Sequence, residues 1–116
     1  MSKAVLIVED DPQLGESLKT ILSLLHHEPH HILTLKEAKE AIDNQRWDVI
    51  ISDYSLADGT GVEVMNYAVE RKCSSTLIIS SGHERESIEE EELSGLDHVR
   101  WMSKPYTIND LTALID

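Results

Sequence analysis

The sequence predicts an α/β domain built on a five-stranded parallel sheet with helices on both faces. Three observations carry that expectation. Short apolar runs, Ala4-Val5-Leu6-Ile7-Val8, Val49-Ile50-Ile51-Ser52-Asp53 and Thr76-Leu77-Ile78-Ile79-Ser80, recur without strict polar alternation, as strands covered on both faces require. Segments with apolar residues at helical spacing separate them, and regular strand–helix alternation gives parallel pairing through right-handed crossovers. The length, 116 residues, suits one domain and leaves no room for a second.

The first strand, Ala4 to Val8, runs directly into Glu9-Asp10-Asp11-Pro12. Asp followed by Pro is a helix start, so Asp11 is the expected N-cap, and Leu14, Leu18, Ile21, Leu22 and Leu25 form the apolar stripe. Glu9 and Asp10 are left at the strand tip without a structural task. His26-His27-Glu28-Pro29-His30-His31 ends the helix and reads as a solvated loop. No thiolate accompanies these histidines, and neighbours on a strand would point to opposite faces instead of converging on zinc. Ile32 to Thr34 is the expected second strand. Thr34 and Glu37 have capping-box spacing ahead of Leu35, Ala38, Ala41 and Ile42, and Trp47 leads as a packing residue into the third strand, Val49 to Asp53.

Asp53 is followed by a glycine-bearing loop, Tyr54 to Gly61. Thr60 and Glu63 repeat the capping-box spacing and open a helix with Val62, Met65 and Val69 inward. The fourth strand, Thr76 to Ser80, ends in Ser81 and Gly82. Ser87 with Glu90 opens a helix whose Glu89-Glu90-Glu91-Glu92 run is a solvated face and which stops at Ser94-Gly95. His98 to Met102 is the fifth strand, ending at Ser103-Lys104-Pro105. Thr107 to Asp110 opens the last helix, with Ile108, Leu111 and Ile115 on one face. That helix is expected to be cut short at Asp116, ahead of a further domain.

Ten basic against 22 acidic residues give a net charge of -12, a surface that repels nucleic acid and anionic lipid. No apolar stretch approaches the ~20 residues of a membrane span, and the first residues lack a signal-peptide pattern. The expectation is a soluble cytoplasmic protein without nucleic-acid or membrane contact. Cys73, the single cysteine, excludes an internal disulfide and reads as an inert loop thiol.

In an open parallel sheet the carboxyl ends of the strands line the crevice where ligands bind. Glu9, Asp10 and Asp53 bring three carboxylates to that edge, Ser81 a hydroxyl and Lys104 a cation. Carboxylates so close raise one another's pKa unless a cation lies between them, and oxygen-only ligands favour a hard ion such as Mg2+. Lys104 is a fixed positive charge suited to phosphoryl oxygens.

The motifs Ile7-Val8-Glu9-Asp10-Asp11-Pro12, Ile51-Ser52-Asp53-Tyr54-Ser55-Leu56 with Asp58 and Gly61, Ile79-Ser80-Ser81-Gly82-His83 and Ser103-Lys104-Pro105-Tyr106 stand in an informative order. Through them the chain resembles the receiver domain of two-component response regulators over essentially its whole length. The resemblance implies a flavodoxin-like strand order 2-1-3-4-5 and Asp53 as phosphoacceptor. It implies Mg2+ bound by Asp10, Asp53 and the main-chain carbonyl of Ser55, with Glu9 helping through water. Ser81 becomes the switch hydroxyl, Trp101 the switch aromatic and Lys104 the phosphate partner, while Ser55 and His83 border the path of a hydrolytic water. The implied partners are a sensor histidine kinase or a histidine phosphotransfer protein, an output domain or protein, and a second protomer docked through the last two helices and fifth strand. Trp101 stands where Tyr or Phe is commoner, Ser81 where Thr also serves, and Ala57 where Pro is common. Two alternatives from other classes are a phosphorylation-independent docking module and a hydrolase with an aspartyl-phosphate intermediate. The hydrolase usually has a second Asp two residues after the nucleophile, where this chain has Ser55.

Overall fold

The computed structural model describes residues 2–81, 98–104 and 107–115. Its elements are β1 (Ala4–Val8), α1 (Pro12–Leu24), β2 (Glu28–Ile32), α2 (Leu35–Asn44), β3 (Val49–Asp53), β4 (Ser55–Leu56), β5 (Gly59–Thr60), α3 (Gly61–Glu70), β6 (Thr76–Ser81), β7 (Arg100–Ser103) and α4 (Ile108–Ile115). The five main strands pair in parallel in the order β2-β1-β3-β6-β7, which is the expected 2-1-3-4-5 once the small β4-β5 hairpin is set aside. The helix expected from Ser87, together with Gly82, His83, Pro105 and Tyr106, lies outside the described residues.

Alternate residues of the central strands feed two separate cores, which is why their sequences are apolar without alternation. Leu6, Val8, Ile50, Leu77 and Ile79 pack with Ala38, Ile42, Val64, Met65 and Ala68 of α2 and α3. Val5, Ile7, Val49, Ile51 and Ile78 pack on the other face with Leu18 and Leu22 of α1 and Leu111 and Ile115 of α4. Helices therefore cover both faces. Trp47 is buried as expected, and its indole N–H donates to the Ala41 carbonyl at 2.9 Å.

Helix starts follow the expected chemistry. Asp11 caps α1 by accepting from the N–H groups of Gln13 and Leu14. Thr34 and Thr60 accept from the N–H groups of Glu37 and Glu63, and Thr107 and Asp110 exchange reciprocal side-chain bonds at the start of α4. Three residues assigned inward are not: Leu14, Val69 and Ile108 are exposed. Leu14 and Ile108 sit in the first turns of their helices, and on α3 the inward stripe runs through Val64 and Ala68 instead of Val69.

The second strand needs the larger correction. It spans Glu28–Ile32, not Ile32 to Thr34, so Pro29, His30 and His31 belong to the sheet and not to a solvated loop. An edge strand has one side free of ladder bonds, which permits polar residues and a proline. The opposite-facing geometry expected of neighbouring strand histidines does hold. His30 meets the Trp47 ring edge-on at a centroid distance of 5.2 Å, while the His31 ring lies against Gly15 of α1. The fifth strand is likewise displaced, to Arg100–Ser103 from the expected His98 to Met102. Among the described residues no helix is long and apolar enough to cross a membrane.

Candidate functional site

Parallel pairing brings the carboxyl ends of β1, β3, β6 and β7 to one edge of the sheet. Val8 pairs with Ser52 and Asp53 with Ser80, so the Glu9-Asp10 turn lies beside the end of β3. Ser81 pairs with Ser103, and the next N–H, that of Lys104, donates to the Ser81 carbonyl at 2.8 Å. Lys104 thus leaves the sheet at the height of the carboxylates. Its Nζ donates to Asp53 Oδ1 at 2.9 Å and stands 3.6 Å from Glu9 Oε1.

Glu9, Asp10 and Asp53 each present an oxygen within 4.8 Å of the other two, the one such acidic grouping among the described residues. Their environments differ. Glu9 is 8 % exposed, Asp53 is half-buried and Asp10 is exposed. Burial, reinforced by the Asp53 charge and Asp10, pushes the Glu9 carboxyl up to about 7 against the pull of the Asp11 N–H and Lys104. One lysine does not offset this much negative charge. Oxygen-only donors of this kind fit a hard divalent cation, and among the described residues neither thiolate nor imidazole enters the cluster to favour a softer one.

The loop after Asp53 is fixed at both ends. The Gly61 N–H donates to the Tyr54 carbonyl at 2.7 Å, and a Cβ on Gly61 would stand 2.6 Å from the Asp53 carbonyl oxygen. Only glycine lets α3 start this close to the phosphoacceptor candidate. Between them Ser55 and Leu56 pair antiparallel with Thr60 and Gly59. At the hairpin's turn, Asp58 accepts from the N–H groups of Leu35 at 2.7 Å and Lys36 at 3.1 Å, which holds its carboxyl below the usual range. Asp58 thereby shares the capping of α2 with Thr34, a link between the Asp53 loop and a remote helix that only its turn-forming residue type hinted at.

The residues expected at the site fall into three groups. Glu9, Asp10, Asp53 and Lys104 converge. Ser81 is buried at the end of β6, one position beyond the partner of Asp53, while the exposed Ser55 lies on the hairpin two residues past Asp53. Trp101 is half-buried on β7 opposite Ile79, packed against the core shared by α2 and α3. His83 lies outside the described residues.

A doubly wound parallel sheet carrying acidic strand tips and a lysine at its carboxyl edge defines a class of phosphoryl-handling α/β domains. The model of the response regulator receiver domain matches residues 5–116, and the chain belongs to that family, the signalling domains of two-component systems. The response regulator protein PilR of Pseudomonas aeruginosa is 30% identical over 66 residues, which make up 57% of this chain and 15% of PilR. This chain therefore spans a small part of that relative's length. A CheY-like response regulator receiver domain from Methylobacillus flagellatus superposes with a TM-score of 0.84 at 21% identity, covering 100% of both chains. The receiver domain of a sensor histidine kinase from Pseudomonas aeruginosa PAO1, solved with a magnesium ion coordinated in its active site cleft, superposes with a TM-score of 0.82 at 18% identity, covering 99% of this chain and 95% of the other.

Proposed function

We propose that Asp53 is the phosphoacceptor, taking a phosphoryl group from a phosphohistidine of a sensor histidine kinase or histidine phosphotransfer protein. The observation that carries this reading is the 2.9 Å contact of Lys104 Nζ with Asp53 inside a cluster of three carboxylates. An Asp53 carboxylate oxygen attacks phosphorus. The P–N bond to the donor imidazole breaks, its electron pair stays on nitrogen, and an acyl phosphate remains on Asp53. Lys104 follows the transferred oxygens with its charge, which costs little reorganisation because the lysine already sits at the acceptor.

Glu9, Asp10, Asp53 and the Ser55 main-chain carbonyl are the residues that would hold Mg2+, with Glu9 acting through water. The ion supplies charge neutralisation for the phosphoryl oxygens. Magnesium is what the structural neighbour from a sensor histidine kinase coordinates in its cleft, and the hard oxygen donors of this cluster support the same ion here. Loss of the mark follows from attack by water on phosphorus, which returns the carboxylate and releases inorganic phosphate. Ser55 and His83 flank that path in sequence.

Ser81 closes on the phosphoryl group as a hydroxyl donor, and Trp101, on the neighbouring strand, follows it inward. The surface around Trp101 and α4 then changes for an output domain or a second protomer. A cytoplasmic location belongs to the same reading.

Acetyl phosphate with Mg2+ is expected to add one phosphoryl group to the wild-type chain and none to Asp53→Asn, read by intact mass. Equal labelling of both would remove the assignment. In a Trp47→Phe background, beryllofluoride with Mg2+ is expected to change Trp101 emission, and to do so weakly or not at all after Ser81→Ala. Unchanged emission despite bound mimic would take Trp101 out of the switch.

A further inference from the structure

We propose that His31 is a positioning residue of the phosphorylation site, holding the Glu9-Asp10 turn in place through its imidazole. The inference rests on the reading of Glu9, Asp10 and Asp53 given above.

β1 and β2 pair as far as Val8 and Ile32, and one further ladder bond runs from the Glu9 N–H to the Ile32 carbonyl at 3.0 Å. In a continuing parallel ladder the Glu9 carbonyl would accept from a backbone N–H farther along the second strand. The second strand instead ends there, and the chain turns into Thr34, the N-cap of α2. The His31 ring supplies a donor from one residue earlier: its Nε2 lies 2.9 Å from the Glu9 carbonyl oxygen. A carbonyl only accepts, so Nε2 carries the proton.

Both backbone polar atoms of Glu9 are thereby tied to β2. The Glu9 carbonyl shares a peptide plane with the Asp10 nitrogen, so the imidazole sets the orientation of the plane from which Asp10 departs. Asp10 is exposed, so the backbone of the turn is a principal constraint on where its carboxylate stands. Gly15 makes the arrangement possible. A Cβ there would overlap the Nε2, Cε1 and Cδ2 atoms of His31, so the absence of a side chain in the first turns of α1 and the ring on β2 are one device.

Groups that orient metal-binding residues without touching the ion govern affinity through geometry, and their loss typically weakens binding about tenfold or more. The test is calorimetric titration of Mg2+ at pH 8 into the wild-type chain, His31→Gln, His31→Met and Gly15→Ala, with melting temperatures of each in chelator. Glutamine retains an N–H donor near the Nε2 position, whereas methionine fills the space without one. Mg2+ affinity is expected to fall about tenfold in His31→Met and to stay within about twofold of wild type in His31→Gln. The two variants should melt within a few degrees of each other. Gly15→Ala should expel the ring and reproduce the loss seen in His31→Met.

Methionine binding Mg2+ as tightly as histidine, or glutamine losing as much as methionine, would overturn the proposal while leaving the site assignment intact. A wild-type chain that binds no Mg2+ would instead remove the site assignment, and this inference with it.

Discussion

Among the described residues acids and cations meet in two places, and the two clusters differ in electrostatic balance. On the α2–α3 surface, Arg71 Nε stands 3.0 Å from Asp43 Oδ1, and the Tyr67 hydroxyl donates to Asp43 Oδ2 at 2.7 Å. Arg71 also donates to the Tyr67 oxygen and lies over its ring at 4.3 Å. The tyrosine and arginine hold the Asp43 carboxyl below its usual value, so every partner is satisfied as an ion or a donor. At the strand tips three carboxylates gather, Lys104 pairs with Glu9 and Asp53, and the most buried of the three, Glu9, is pushed up to about 7. An acid–base pair is therefore no mark of function by itself. A surplus of buried like charge on rigid strand ends is, because folding alone gains nothing from it.

The widest separation between the clusters should come from deleting each cation. Lys104→Met leaves Glu9 and Asp53 without their shared partner, and at pH 8 in chelator it should cost on the order of 2 kcal/mol in urea unfolding. Arg71→Met removes an exposed pair and should move the melting temperature by no more than a degree or two. Equal losses would erase the distinction.

A second contrast lies in pH. The Glu9 carboxyl is raised in the fold from 4.5 to about 7, so the folded state favours its protonated form. Its contribution to stability is fully present below 4.5 and is lost as pH rises through about 7. In chelator, wild-type stability should thus fall between pH 5 and pH 8 by up to a few kcal/mol, and Glu9→Gln should flatten that part of the curve. The Asp43 shift has the opposite sign: its contribution is present above 3.8 and is lost as pH falls toward the lowered value, leaving the neutral range untouched. A wild-type curve that is flat from pH 5 to pH 8 would show that Glu9 is not the strained member.

The strand tips were legible because each is the end of an apolar run, and a run such as Val49-Ile50-Ile51 has no other stable place than the middle of a covered sheet. Asp53 and Lys104 could be matched to one edge for the same reason. β2 was not legible. Its Glu-Pro-His-His-Ile sequence lacks the apolar signal, since an edge strand buries little and tolerates proline. The work of His31 and Asp58 was hidden for a related reason: each bonds to backbone atoms of a distant segment, and backbone atoms leave no trace in residue type. The exposed Leu14, Val69 and Ile108 show the limit of helical periodicity, which gives the width of an apolar stripe but not which of its borders meets the sheet.

Magnesium-dependent melting at pH 8 tests the contrast most directly, because an ion that relieves the repulsion among Glu9, Asp10 and Asp53 binds only the folded chain. The melting temperature of the wild-type protein should rise with added Mg2+ and then saturate, while Asp10→Ala should show no such rise. An equal rise in both proteins would place the ion elsewhere and contradict the account of the strand tips as a site built for a cation and a phosphoryl group.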